Sequence, residues 1–259
     1  MSEINFRSTV GKLAGVYSHN VGNSAPAVLV VGSSIVSFEA KRKTYDGAMD
    51  KLFESFVESG FSVLRFNFRQ ISGDSRKDDL DEDAINLLDL TAALDWLHSK
   101  NLECRNFWVC AVDLGTLAAL QLIMRRPEVE NYILLSPNLK KNDLSFVVPC
   151  SASGLLVRAS EDLRFLEEDC LILQEKLVTK TESKIKSITI HGAERNFETE
   201  LQQFKTRVLE YITTKILDDR HNLGAMSANK RRRRKKRPEA EEEKIIYMNP
   251  IKPLDIEEI

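Results

Sequence analysis

Histidine and cysteine are scarce in this chain, and long apolar runs are missing. Four histidines in 259 residues, His19, His98, His191 and His221, leave few candidates for a general base, because imidazole alone titrates near neutral pH without perturbation. Four cysteines, Cys104, Cys110, Cys150 and Cys170, are widely spaced, with no C-x-x-C and no accompanying histidine pair. That spacing excludes a zinc ribbon or a disulfide framework and implies free thiols in a reducing compartment. No stretch approaches the roughly 18 apolar residues needed to span a bilayer, so no transmembrane segment is expected. The opening residues, Met1-Ser2-Glu3-Ile4-Asn5-Phe6-Arg7, lack the basic and apolar regions of a secretory signal. Together these absences lead us to expect a soluble, cytoplasmic protein.

Hydrophobic residues make up 42% of the chain, enough for one medium domain with a large core. Short apolar runs alternate with amphipathic segments. The runs are 27–31, 62–68, 106–112, 132–135, 155–158 and 187–190, and their near-continuous hydrophobicity suits strands covered on both faces. Helical patterns lie near 46–59, 83–100, 116–126, 162–178 and 197–217. The alternation predicts an α/β fold with a mostly parallel twisted sheet and right-handed crossovers. Asn5 to His19 reads as a hairpin ahead of the parallel part.

Charge is distributed unevenly. The net charge is only −2, yet Lys230, Arg231, Arg232, Arg233, Arg234, Lys235, Lys236 and Arg237 form an unbroken cationic block. From about His221 the composition shifts, and Glu239, Glu241, Glu242 and Glu243 follow the block. The expected organisation is a domain over 1–220 and a mostly disordered tail over 221–259. Eight consecutive cations suit salt-sensitive contact with RNA or DNA phosphates, or with anionic lipid headgroups. The block has no aromatic residue to stack on bases, and it can instead fold back on neighbouring acids. Asp78, Asp79, Asp81, Glu82 and Asp83 invite a metal reading, but their place at a helix start favours simple capping. No metal site is assigned.

Cys110-Ala111-Val112-Asp113-Leu114-Gly115-Thr116 is the most informative segment. An apolar run ends abruptly and an Ala/Leu-rich helix begins, the setting of the G-x-S-x-G nucleophile elbow. Here Ala111 stands at the first glycine and Asp113 at the nucleophile.

Further segments carry a family likeness. Leu64-Arg65-Phe66-Asn67-Phe68-Arg69, Ala92-Ala93-Leu94-Asp95-Trp96-Leu97, Met124-Arg125-Arg126-Pro127-Glu128-Val129, Leu135-Ser136-Pro137, Asn142-Asp143-Leu144-Ser145-Phe146 and Pro149-Cys150 resemble small bacterial α/β-hydrolases related to dienelactone hydrolases, over roughly residues 5–217. The resemblance implies an α/β-hydrolase fold with helices on both faces of the sheet and no cap domain. It implies no cofactor, and a Ser–His–Asp triad. By position the serine site is Asp113. The acid site is Asp162, within Ala159-Ser160-Glu161-Asp162. The histidine site is Arg195, within His191-Gly192-Ala193-Glu194-Arg195-Asn196-Phe197. The oxyanion loop after Val31 departs from the family pattern, with an apparent insertion beginning Gly32-Ser33-Ser34, and Gln70 to Ser75 replaces the family's G-x-G-x-S.

Arg cannot act as a base near neutral pH, and losing triad members costs on the order of 10⁴ to 10⁶ in rate. The leading expectation is therefore a pseudoenzyme that binds an unidentified protein or small molecule. The alternative is a hydrolase of ester-type or halide substrates with Asp113 as a carboxylate nucleophile, as in dehalogenases and epoxide hydrolases. That chemistry needs a base, and His191 is the candidate. A third reading joins the substitutions: Arg195 projects between Asp113 and Asp162 and makes charge-assisted hydrogen bonds to both.

Overall fold

Strands form where the sequence is apolar without interruption. A computed structural model of the chain describes residues 1–20, 25–32, 46–69, 81–113, 115–137, 144–178 and 184–235, with side chains to residue 219 apart from that of Asp46. Strand β1 (Ser2–Ser8) pairs antiparallel with β2 (Gly11–Ser18) as the expected hairpin. There follow β3 (Ala27–Gly32), α1 (Asp46–Glu58), β4 (Ser62–Asn67), α2 (Glu82–Lys100), β5 (Phe107–Val112) and α3 (Gly115–Ile123). The order closes with β6 (Val129–Leu135), β7 (Ser153–Ala159), α4 (Glu167–Leu177), β8 (Ile185–Ile190) and α5 (Leu201–Lys235).

The eight strands make one sheet in the order β1-β2-β4-β3-β5-β6-β7-β8. Every pair from β4 to β8 is parallel, and β2 meets β4 antiparallel. Every residue of β3 and β5 is buried, as expected of central strands covered on both faces. Alternation along β5 assigns the layers. Phe107, Val109 and Ala111 join the core that contains Leu90 and Leu94 of α2, Leu120 of α3 and Leu173 of α4. Trp108 points the other way, with ring centroids 6.1 Å from Phe56 of α1 and 6.2 Å from Tyr211 of α5. Helices thus cover both faces.

A buried ion pair fastens the hairpin to this body. Arg69, just past β4, donates from Nε and Nη2 to Asp89 of α2 at 2.8 Å each, and from Nη1 to the Val10 carbonyl at 2.8 Å. A side chain at Gly11 would place its Cβ 2.4 Å from Arg69 Nη1, and Gly11 has φ +147°. Only glycine fits that turn without displacing the arginine.

Several boundaries differ from expectation for local reasons. Helix α4 starts at Glu167 rather than 162, because Asp162 accepts the Arg164 N–H at 2.9 Å and holds a turn there. Helix α2 begins where expected, with the Asp81 carboxylate accepting the Ala84 N–H at 2.7 Å. Asp81 is thus a cap, while Asp78 and Asp79 lie outside the described residues. Among the described residues no helix is long and apolar enough to cross a membrane. Cys104, Cys110, Cys150 and Cys170 are free thiols, and burial pushes all four up in pKa.

The chain divides into two compact units, Met1–Thr214 and Lys215–Ile259. In the second, the α5 backbone is helical to Lys235. Ala, Met, Asn, Lys and Arg dominate this stretch, and apart from Gly224 they tolerate or favour helix. Residues 236–259 lie outside the described residues.

Candidate functional site at the ends of strands five, six and seven

Asp113 closes β5 with φ +51°. That left-handed conformation is uncommon outside glycine, and aspartate tolerates it better than most residues. The turn is tied on both sides. The Asp113 N–H donates to Leu135 O at 3.1 Å, and its carbonyl accepts from Thr116 N at 3.1 Å and Thr116 Oγ1 at 2.5 Å. A sharp strand-to-helix turn therefore lifts the Asp113 carboxylate above the C-terminal edge of the sheet, as an elbow lifts its nucleophile.

Asp162 follows β7, and its side chain is only 1% exposed. The loop that carries it is stitched to the loop after β8: Ser160 N donates to Ile190 O at 3.0 Å, Glu161 N to Ala193 O at 3.0 Å, and Gly192 N to Ser160 Oγ at 2.8 Å. This stitching delivers Arg195. Its loop is anchored by Phe197, fully buried at φ +59° and stacked on Phe204 of α5 with centroids 4.9 Å apart. A left-handed phenylalanine is unfavourable locally and persists here because its surroundings hold it.

The three mapped positions meet at the Arg195 guanidinium. Nη1 donates to Asp162 Oδ2 at 2.7 Å, and Nη2 donates to Asp113 Oδ1 and, at 3.0 Å, to the Ser136 carbonyl. Asp162 Oδ1 is already engaged by Arg164 N–H. Two carboxylates facing one guanidinium leave the cluster with a formal charge of −1. Arg195 and Asp113 side chains are 15% and 14% exposed, so the cluster retains some contact with water.

His191 is not brought to Asp113. It is exposed on the turn beyond β8, its backbone N–H donating to Gln203 Oε1 at 3.1 Å. The cation hydrogen-bonded to Asp113 is Arg195. The turn carries the Arg195 position inward and leaves the His191 position facing solvent. His19 is held by the Tyr17 hydroxyl at 2.8 Å and His98 packs on Phe107. The side chain of His221 lies outside the described residues.

Ser136 was not expected in the site. It has φ +40°, is fully buried, and turns its carbonyl toward Arg195, while its Oγ finds no partner among the described residues. In the sequence it is one letter of Leu135-Ser136-Pro137, a segment informative about the fold alone. The altered oxyanion loop from Ser33 onward and the Gln70–Ser75 segment lie outside the described residues. The basic block is helical in backbone from Lys230 to Lys235. Among the described residues no three metal-binding side chains cluster.

A solved structure of an Agrobacterium tumefaciens protein of unknown function, described as an alpha/beta hydrolase, is 30% identical with a TM-score of 0.72. The match covers 84% of this chain and 97% of that one. This chain belongs to the α/β-hydrolase family. A Xanthomonas campestris member of the serine hydrolases without lid matches at 18% identity and TM-score 0.62, covering 81% of this hydrolase-family chain and 92% of its own. An uncharacterized protein of Rickettsia prowazekii (strain Madrid E) is 28% identical over 223 residues, 83% of this chain and 90% of the relative. No family model matches.

Proposed function

We propose that this α/β-hydrolase family member does not carry out acyl transfer and acts by binding a protein or small molecule. The observation that carries the reading is the hydrogen bond from Arg195 to Asp162 at 2.7 Å. In a serine hydrolase the residue at the Asp162 position orients a histidine, and that histidine takes the proton from the nucleophile. Here the same carboxylate orients a guanidinium, which carries five donors and no acceptor and is effectively always protonated. The nucleophile position holds a carboxylate already bound to that guanidinium. With both proton-handling groups replaced, a rate loss on the order of 10⁴ to 10⁶ is expected.

The second reading keeps Asp113 as a nucleophile toward ester-type or halide substrates. An aspartyl ester has to be released by an activated water, and His191 is too exposed and misplaced to activate it. Purified protein assayed on short-chain nitrophenyl esters, beside Asp113→Ala and the double reversion Asp113→Ser/Arg195→His, tests both. We expect no turnover above background from wild type or Asp113→Ala. Wild-type turnover that disappears in Asp113→Ala would overturn the non-catalytic reading in favour of the carboxylate nucleophile.

A further inference from the structure

We infer that the chain forms a two-fold symmetric dimer by pairing the free edge of β8 with the same edge of a second copy. Strand β8 is the last in the sheet and pairs parallel with β7 on its inner side. Gly154 N–H donates to the Lys184 carbonyl at 3.1 Å and Ser160 N–H to the Ile190 carbonyl at 3.0 Å. Residues 184, 186, 188 and 190 therefore turn their backbone groups to β7, and alternation turns those of Ile185, Ser187 and Thr189 outward. Both ends of this open row are closed. Gln174 Nε2 of α4 donates to the Ile185 carbonyl at 2.9 Å, and Gln203 Oε1 of α5 accepts the His191 N–H at 3.1 Å. Between them, nothing among the described residues pairs with the outward backbone groups of Ser187 and Thr189. Such an edge is a template for another strand.

The two glutamine caps set the register. Antiparallel pairing centred on Ile188 sets Ser187 opposite Thr189 of the second copy, each such pair exchanging both backbone hydrogen bonds, and leaves the caps in place. Centring it one residue earlier drives Thr189 against the Gln174 cap, and one residue later drives Ser187 against the Gln203 cap. Charge selects a second copy as the occupant. Lys184 and Lys186 are exposed at the start of β8, and Glu161 and Glu194 are exposed beyond its end. Helix α4 runs the opposite way and keeps the same polarity, acidic in its first turn and with Lys176 in its last. Arg164 and Glu175 are the exposed charges against the trend. Antiparallel pairing lays the basic end of each copy beside the acidic end of the other. Apolar surface lies on the same rim. Leu171 and Val178 stand three residues before and four after Gln174, on the side of α4 that reaches the edge, and they are 56% and 42% exposed. Helix α4 packs on both β7 and β8. A helix midway between strands about 4.8 Å apart lies about 10 Å from its mate across such an edge, a distance at which helices pack.

Sedimentation equilibrium of the full-length protein provides the test. We expect a reversible monomer–dimer equilibrium that added salt weakens, because unlike charges meet across it. Ser187→Pro removes an outward donor and none from the β7 ladder, and Leu171→Glu places a charge on the rim. Each is expected to weaken dimerisation at least about tenfold with an unchanged circular dichroism spectrum. Cross-linking keeps the test independent of whether Ser187→Pro folds. In this register position 188 faces its own mate at a Cα separation of about 4.5 Å, which a disulfide spans, so Ile188→Cys should yield a covalent dimer on mild oxidation. Position 186 lies roughly 14 Å from its mate, so Lys186→Cys should not. Three results would overturn the inference: wild type that stays monomeric into the high micromolar range, a dimer left intact by Leu171→Glu or by folded Ser187→Pro, or Ile188→Cys that cross-links no faster than Lys186→Cys.

Discussion

Two arginine–aspartate clusters sit beyond the ends of parallel strands in this molecule, and they differ in balance. Arg69 meets one carboxylate, Asp89, through two 2.8 Å hydrogen bonds and spends its third nitrogen on the Val10 carbonyl. Charge is matched, and neither residue has an unusual backbone. Arg195 meets two carboxylates, and two of its partners, Asp113 and Ser136, have positive φ. The Ser136 hydroxyl beside it is buried without a partner among the described residues. The first cluster has the geometry that burying an ion pair demands. The second sits on a sharp strand-to-helix turn, with left-handed backbone at two of the residues that accept from the guanidinium. Satisfied, charge-matched burial marks structure, whereas strain and charge imbalance mark a site shaped by chemistry.

Removing Arg69 makes this comparison sharpest. Arg69→Ala leaves the Asp89 carboxylate, 0% exposed, as an uncompensated charge, and releases the Val10 turn from the body. We expect a loss of about 3–5 kcal/mol, read as a shift of the urea midpoint at constant m-value. A loss under about 1 kcal/mol would place the pair among exposed, weakly contributing bridges and remove the contrast.

Arg195→Ala tests the other side. Asp162 is as buried as Asp89, but Asp113 and Arg195 keep contact with water. The loss should therefore be smaller, about 2–3 kcal/mol, because part of the exposed charge is screened. Should Arg195→Ala prove as costly as Arg69→Ala, the cluster would be a structural keystone and the contrast would fail.

How much of this could be read from the sequence depends on which physics sets each feature. The strands were legible because Ala27–Gly32 and Phe107–Val112 are apolar at nearly every position, a pattern a doubly covered strand requires. The meeting of Asp113, Asp162 and Arg195 was legible because the family likeness aligned three distant segments on one edge of the sheet. The Ser136 carbonyl was not, since its direction follows from a backbone dihedral and not from residue type. Phe197 was not either: its left-handed conformation opposes local preference and depends on stacking against Phe204. Helix beyond His221 is weakly marked in the sequence, since a run of like charges opposes it while the residues other than Gly224 tolerate it. Nearness in sequence does not fix nearness in space at this turn: His191 faces solvent, whereas Arg195 reaches both carboxylates.

The smallest expected effect decides most finely between the two clusters. Asp113→Asn keeps a side chain that tolerates φ +51° and an oxygen able to accept from Arg195 Nη2. It removes one negative charge and leaves Asp162 as the carboxylate hydrogen-bonded to Arg195, as Asp89 is to Arg69. If the second carboxylate is an excess charge, its removal costs little or stabilises the fold, by at most about 1 kcal/mol. The corresponding Asp89→Asn removes the sole counter-charge of Arg69 and should destabilise. Opposite signs for one chemical change at two buried aspartates would show that charge balance, rather than burial, separates them. A clear loss from Asp113→Asn would mean that Arg195 needs both carboxylates, making the cluster a stabilising ion triad in its own right.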